Sequence, residues 1–201
     1  MVPRLRAMSL LLHPLPAPAA RHHPLSRWLH GVMALGLVAM LGLGLYMTGL
    51  PFSPWRLKLF NWHKWLGMLL LVLLAVRVFW RLRHPAPPLP PAVERAMPPW
   101  QHQAHRAAHV GLYVLMALVP LLGWAYSSAA GFPVVWMGWL PLPDWVPRDP
   151  QWAQVLKPLH RLAAYGLAAL IGLHLAAALK HHLVDRDGLL WRMWPVGRPN
   201  A

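Results

Sequence analysis

Four long apolar stretches, separated by shorter polar or proline-rich segments, dominate the hydrophobicity pattern of this chain. They run from Trp28 to Thr48, from Trp62 to Leu82, from His105 to Ser128 and from Leu159 to His182. A helix needs about 20 apolar residues to cross the hydrocarbon core of a bilayer, and each stretch is long enough. The pattern therefore predicts an all-α integral membrane protein in which four helices form one bundle.

The segments outside these stretches are not expected to form further domains. Residues 1–25 are basic and interrupted by prolines, and their apolar run is too short for a signal peptide, so we expect a disordered cytoplasmic arm. Residues 26–195 hold the four-helix domain, and residues 196–201 form a C-terminal tail. The connection from Arg83 to Met97 is proline-rich and stiff. The Trp- and Pro-rich segment from Phe132 to Lys157 is expected to lie on the outer membrane surface or to contact a partner protein.

Lysine and arginine are distributed unevenly between the two sides of the predicted bundle. The chain has 19 of these residues against 5 acidic ones, and its formal net charge is +14. If both termini face the cytoplasm, thirteen of the 19 lie on the cytoplasmic side and six on the other, which satisfies the positive-inside bias. Anchoring to anionic membrane lipid explains most of this charge, so no nucleic-acid partner is expected.

The fourth stretch carries two histidines, His160 and His174, fourteen residues apart with almost nothing polar between them. Fourteen residues of α-helix rise about 21 Å and complete nearly four turns, so both imidazoles lie on one face, one near each side of the membrane. Polar groups inside a bilayer are costly and usually functional. The spacing favours one ligand for each of two stacked prosthetic groups, and hydrogen bonding between helices is the alternative.

The depths of the other histidines limit the partners of this pair. His63 begins the second helix near the outside, level with His160, and these two are the only helix histidines of the outer layer. The inner layer has more candidates than a two-histidine site needs, and depth does not choose among them. They are His30, His105, His109, His174, His181 and His182.

Two imidazoles in an apolar slot between helices suit a b-type haem, whose iron takes two axial histidines. Zinc or copper needs three or four ligands at one depth, which the outer layer does not offer. The chain has no cysteine, which excludes disulfides, iron–sulfur clusters and c-type haem attachment. Several glycines near the histidines either admit a flat macrocycle or simply allow close helix packing: Gly31, Gly36, Gly67, Gly166 and Gly172.

Motifs in all four stretches resemble one family. They are RWLHGVMA in the first helix, WHKWLGMLLLVLLAVRVFWRLRHPAPP in the second, HRAAHVGLYVLMALVPLLGW in the third, and LHRLAAYGLAALIGLHLAAALKHHLVDRDGLLWRMWP in the fourth and its exit. With them the chain resembles the bacterial cytochrome b561 family, four-helix di-haem cytochromes of the inner membrane. The resemblance extends from about Ser26 to Pro195 and implies an integral membrane four-helix bundle holding two b-type haems.

The resemblance also implies the ligands of each haem. Carried over position by position, it places His30 with His174 at the inner haem and His63 with His160 at the outer haem. His109 then stays near the inner haem as a non-ligand, together with His105. We expect both to hydrogen-bond a haem propionate or the neighbouring backbone.

Some members of this family are similar to superoxide oxidases, which take electrons from superoxide at the periplasmic face and reduce ubiquinone. Lys64 and Arg161 directly follow the two predicted outer ligands, and Arg56 and Lys58 lie in the outer loop. We expect Lys64 and Arg161 to attract the superoxide anion, to neutralise haem propionates, or both. At the inner end, His181 is a candidate hydrogen-bond or proton donor to ubiquinone, and a solvated histidine at a helix end is the alternative.

The sequence is compatible with three functions. The first is a superoxide:ubiquinone oxidoreductase. The second is a cytochrome b electron-transfer subunit that anchors a larger dehydrogenase or hydrogenase complex and meets a periplasmic redox partner. The third is a haem carrier or sensor without redox turnover. The short inner loops and the lack of an appended domain favour the first. The oligomeric state is not predicted.

Overall fold

Four long helices form the protein in the computed structural model, which describes residues 20–194. The helices in chain order are α1 (Pro24–Gly49), α2 (Pro54–Arg83), α3 (Pro91–Ala96), α4 (Pro99–Ala129), α5 (Pro150–Lys180) and α6 (Leu189–Met193). By length and composition α1, α2, α4 and α5 can each cross a membrane. The predicted all-α, multi-pass membrane fold is confirmed.

Proline and capping residues set where the long helices begin. Each starts at a proline, which is favourable there because its fixed φ suits the first turn and its missing N–H would have no helical partner. The side chains of Ser53 and Asp149 cap α2 and α5 by accepting from the backbone N–H of Arg56 and Gln151. As a result α5 begins at Pro150, well before the apolar stretch that predicted a start at Leu159.

The connections contain short elements that the hydrophobicity pattern did not predict. The stiff connection from Arg83 to Met97 includes α3. We call the end of the bundle that holds the α1–α2 and α4–α5 connections the outer end, and the opposite end the inner end. At the outer end, strands β1 (Val135–Trp136) and β2 (Leu140–Pro141) pair antiparallel as a small hairpin. The segment from Phe132 to Lys157, which was expected on the outer membrane surface, therefore contains this hairpin and the first turns of α5.

The four long helices pack as two pairs. Helix α1 lies against α2, α4 lies against α5, and contacts between α2 and α4 join the pairs. Among the described residues, α5 has no extensive backbone contact with α1 or α2. A gap therefore separates the α1–α2 pair from α5, and any contact across it is made by side chains.

Arg192 of α6 closes the inner end of the bundle. Its guanidinium is buried, with 5% of the residue exposed. Nε donates to the carbonyl oxygen of Ala20 at 2.8 Å, and Nη2 donates to those of Pro87 and Pro88 at 2.9 and 2.7 Å. The backbone N–H of His22 donates in return to the carbonyl of Arg192 at 3.2 Å. One side chain thus ties the N-terminal segment, the proline-rich connection and α6 together.

These contacts alter the expected boundary of the N-terminal arm. Residues 20–23 are held against α6, and α1 begins at Pro24 instead of after residue 25, because Arg192 and the cap from His23 fix the chain there. Burial, with the charges of Arg81, Arg192 and Arg77, lowers the pKa of His22 to about 4, so its ring is neutral at physiological pH. The expected arm over residues 1–19 and the tail over residues 196–201 lie outside the described residues.

Replacing Arg192 with alanine is expected to destabilise the protein by about 3 kcal/mol, because the hydrogen bonds from its buried guanidinium to three carbonyl groups are lost. Thermal unfolding of the detergent-solubilised protein measures the change. Arg95→Ala is the matched control, since Arg95 is exposed and its Nε donates only within its own short helix. Equal melting temperatures for the two variants would contradict this role of Arg192.

Candidate functional site

Two histidines face each other in the outer half of the bundle. His63 lies nine residues after the start of α2, and His160 lies ten residues after the start of α5. Their ring centres are 6.2 Å apart, and the ring planes are nearly perpendicular, at 87°. The pair that depth predicted therefore meets across the gap between α2 and α5.

The ring of His160 is fixed by the backbone of α4. Its Nδ1 donates to the carbonyl oxygen of Val119 at 2.9 Å, so the proton is on Nδ1 and the lone pair is on Nε2. Gly123, one turn further along α4, makes this approach possible. A Cβ at Gly123 would lie 3.0 Å from Cε1 and 3.1 Å from Nδ1 of the imidazole, which is closer than packed carbon atoms normally come.

His63 lies against a second glycine, on α1. A Cβ at Gly44 would come within 3.2 Å of Cε1 of the ring. Nδ1 of His63 is buried and has no hydrogen-bond partner among the described residues. Burying a polar atom in this way is costly unless something else satisfies the ring.

The glycines that contact the histidines are not those expected from the sequence. Gly36, Gly67 and Gly166 face Leu70, Met40 and Leu115, and a Cβ at Gly172 would meet nothing within 4 Å of the described chain. Three of the expected glycines therefore serve close helix packing. The sequence offered no signal for Gly44 and Gly123, because they contact histidines of other helices.

A second pair has the same separation in the inner half. His30 lies six residues after the start of α1, and His174 lies six residues before the end of α5. Their ring centres are also 6.2 Å apart, with the planes at 76°. Each half of the bundle thus holds one pair of imidazoles of matching geometry, and α5 supplies one member of both.

The other inner histidines are arranged differently. Nδ1 of His109 donates to the carbonyl oxygen of His105 at 2.8 Å, which is the backbone contact that we expected as one alternative. The ring centre of His109 is 5.3 Å from that of His174. This separation is shorter than that of the two matched pairs, and His109 already uses one ring nitrogen on its own helix.

The separation within each matched pair fits a metal ion bound between the rings. A ring with bonds of about 1.35 Å has a radius of about 1.1 Å, and a bond from imidazole nitrogen to a metal is about 2 Å. Two rings on opposite sides of one ion would therefore have centres about 6.2 Å apart, as both pairs have. Three further features suit a flat group held by two histidines. They are the gap between α5 and the α1–α2 pair, the glycine contacts, and the partnerless nitrogen of His63.

A half-buried arginine, which the sequence did not indicate as a site residue, lies near the inner pair. Arg77 lies six residues before the end of α2, level with His30 and His174 and within electrostatic range of both. Its Nε donates to the hydroxyl of Tyr113 at 3.1 Å, while Nη1 is buried without a partner among the described residues. An unpaired guanidinium N–H beside the pair suits a carboxylate of a bound group.

Lys64 attaches the outer loop to α2. Its Nζ donates to the carbonyl oxygens of Pro133 and Phe132 at 3.2 and 3.4 Å. Beside it, Nε1 of Trp65 donates to the carbonyl of Val135 at 2.6 Å, and Nε1 of Trp136 donates back to that of Trp65 at 3.1 Å. Lys64 therefore positions the loop, a role that was not expected.

The remaining outer cations differ in their surroundings. The guanidinium of Arg56 lies over the ring of Phe60, 5.5 Å from its centre, whereas Lys58 and Arg161 are exposed. Arg161 directly follows His160 in the sequence and is exposed, whereas Lys64, which directly follows His63, is half-buried.

His181 lies at the inner end of α5, where the helix continues as a π-helical turn, His181–Asp185. Its Nδ1 is 2.6 Å from Oδ2 of Asp187. The expected quinone donor is thus held by a carboxylate from the segment that leads to α6.

Comparison with known proteins agrees with this arrangement. Residues 21–196 match the prokaryotic cytochrome b561 family. The chain is 34% identical to "Cytochrome b561 homolog 2" of Escherichia coli (strain K12) over 175 residues, which are 86% of this chain and 90% of the relative. It is 33% identical to "Probable superoxide oxidase CybB" of Yersinia pestis over 147 residues, 73% of this chain and 79% of the relative. The chain therefore belongs to the prokaryotic cytochrome b561 family, membrane electron-transfer proteins with b-type haem.

Proposed function

We propose that this protein is a di-haem superoxide:ubiquinone oxidoreductase of the bacterial inner membrane. The observation that carries the proposal is the pair of matched histidine sites, one in each half of the bundle, with equal ring separations of 6.2 Å. Two such sites at two depths suit a protein that conducts electrons between the two membrane faces. The excess of lysine and arginine on one side supports an orientation with both termini in the cytoplasm.

In this proposal His63 and His160 hold the outer haem, and His30 and His174 hold the inner one. Each bound haem would supply a one-electron couple between ferric and ferrous iron. The chain contributes four imidazoles, of which His160 has a tautomer defined by Val119, together with glycine contacts that admit the rings and Arg77 as a cation for an inner haem carboxylate.

Superoxide as the electron donor is supported by the outer cations and by the relative named as a probable superoxide oxidase. Oxidising superoxide to oxygen requires close approach of the anion but no proton transfer to it. Arg161 follows His160 in the sequence and is exposed, and Lys64 follows His63 and is half-buried. These two cations raise the local concentration of an anion near the outer pair.

Substitution of single histidines tests the ligand assignment. His160→Ala should remove the outer haem and keep the inner one, because the inner pair needs only His30 and His174, and His174→Ala should do the reverse. The haem-to-protein ratio, measured by optical spectroscopy on purified protein, should fall from two haems to one in each variant.

The control for this experiment is His109→Ala. Because Nδ1 of His109 donates to the backbone of its own helix, this variant should keep both haems. Loss of a whole haem from it would show that the inner pairing is wrong, and an unchanged ratio in His160→Ala would refute the outer pair.

Gly123→Ala should weaken retention of the outer haem on the order of tenfold, because the added Cβ displaces the ring of His160 from the carbonyl of Val119. Gly44→Ala should have a smaller effect in the same direction, since its Cβ would be 3.2 Å from the ring of His63. Gly42→Ala is the matched control on α1, where a Cβ meets nothing within 4 Å of the described chain. Equal outer haem contents in the three variants would contradict the role of the glycines.

Ionic strength tests the attraction of superoxide. The bimolecular rate of haem reduction by superoxide should fall as salt rises, because exposed charges are screened over about 8–10 Å. It should fall further in Arg161→Gln and in the double variant Lys64→Gln, Arg161→Gln. Stopped-flow spectroscopy with a superoxide source measures these rates.

Arg95→Gln is the control for charge, since Arg95 lies in the connection at the opposite end of the bundle. Haem content must be measured in every variant, because Lys64 also positions the outer loop. If both haems remain and the rate responds neither to salt nor to Arg161, the attraction proposal fails. An electron-transfer subunit with a protein partner would then be the better description.

A further inference from the structure

The exit of α5 has an unusual backbone. The last α-helical turn passes into the π-helical turn His181–Asp185, after which Arg186 adopts left-handed φ and ψ of 52° and 31°. Turns of this kind are rare and occur often at functional sites. The wider turn and the reversal after it bring Asp187 back over His181, and the backbone N–H of Asp187 donates to the carbonyl of His181 at 3.3 Å.

Asp187 is the carboxylate that holds the imidazole of His181. Its Oδ2 is 2.6 Å from Nδ1. Oδ2 of Asp185 is 3.1 Å from the same nitrogen, but Lys180 holds Asp185 through contacts of 2.7 and 2.9 Å. The side chain of Asp187 is also less exposed, at 12% against 29% for Asp185. Because a carboxylate only accepts hydrogen bonds, Nδ1 of His181 carries the proton.

Both oxygens of Asp187 are used. While Oδ2 accepts from His181, Oδ1 accepts from the backbone N–H of Leu189 at 3.0 Å, at the first turn of α6. The carboxylate is therefore fixed from two directions, and it fixes the imidazole in turn. A histidine oriented in this way has one defined nitrogen, Nε2, left for another partner.

The other charged groups around His181 partly cancel. Lys180 and Asp185 form an ion pair, His182 packs against Trp191 with ring centres 5.8 Å apart, and His105 of α4 is within electrostatic range. Because Lys180 already neutralises the carboxylate of Asp185, these side chains are a poor site for a metal ion. Asp187 is thus the main negative charge acting on the ring.

We propose that Asp187 is a positioning residue for proton delivery to the quinone by His181. This inference rests on the proposed reduction of ubiquinone at the inner end of the bundle. His181 follows His174 by seven residues, nearly two turns along the same face of α5. Asp187 orients the ring so that Nε2–H is available to a quinone oxygen, and its charge stabilises the imidazolium before the transfer.

The overall reaction needs only superoxide, ubiquinone and protons from water. Two superoxide anions each lose one electron and become oxygen, and one ubiquinone gains these two electrons and two protons to become ubiquinol. In each proton transfer the Nε2–H bond of the imidazolium breaks and an O–H bond forms on the quinone. The ring is left neutral with its proton on Nδ1, bound to Asp187, and Nε2 is reprotonated from the inner aqueous phase.

Asp187→Asn in the full-length, haem-loaded protein tests the proposal. The side-chain oxygen of asparagine still accepts from Leu189, so α6 keeps its cap. The amide N–H₂ now faces Nδ1 of His181, which favours the tautomer protonated at Nε2, and the negative charge is lost. Reduction of ubiquinone by superoxide should slow by about 10–100-fold in kcat, with little change in KM, because the ring still hydrogen-bonds the quinone through Nε2–H but lacks the carboxylate that orients it. Haem reduction by superoxide should be unchanged.

Asp185→Asn is the matched control, with the same substitution at the carboxylate held by Lys180, and it should keep the wild-type kcat and KM. His181→Ala should slow quinone reduction, and adding Asp187→Asn to it should slow the reaction no further, because Asp187 acts through His181.

The outcomes separate the positioning role from the function on which it rests. A normal kcat for quinone reduction in Asp187→Asn, with a slow His181→Ala, would overturn the role of Asp187 and leave quinone reduction intact. Normal turnover in His181→Ala would overturn both residue roles. If the wild-type protein reduces no ubiquinone, the proposed function fails and this inference fails with it.

Discussion

Two pairs of imidazoles must face each other across a gap that the helix backbones leave open, and the bundle is arranged around this requirement. Helix α5 supplies one histidine to each pair, and among the long helices of the described residues it packs closely against α4 alone, so its histidine face can point across the gap. An imidazole in a bilayer is costly unless its nitrogens are satisfied. The carbonyl of Val119 accepts from Nδ1 of His160, and a bound metal group would use Nε2 of the same ring.

Helix α4 acts as the support for this arrangement. It presents Gly123 and the carbonyl of Val119 to His160 at the outer level, and it carries His109 beside His174 at the inner level. It also contributes the hydroxyl of Tyr113, which holds Arg77. Since α4 contacts both α2 and α5, it fixes the width of the gap without supplying a member of either matched pair.

The two ends of the bundle are closed by polar contacts to backbone carbonyls. At the outer end, Lys64 and Trp65 bind the hairpin segment, and at the inner end Arg192 joins three separate parts of the chain. Such contacts suit the membrane surface, where carbonyl groups of irregular segments need donors and water is available only in part.

The sequence was sufficient to predict the number of spanning helices, the two levels of histidines and the pairing of His63 with His160, because apolar length, helical rise and depth along one helix are local properties. It left the inner level open, where six histidines share similar depths, and only the resemblance to a family selected His30 and His174. The tertiary structure decided which rings face each other, which glycines receive them, and that Asp187 returns to His181. These features depend on how helices are rotated and packed against distant parts of the chain, and the periodicity of a single helix does not encode that rotation.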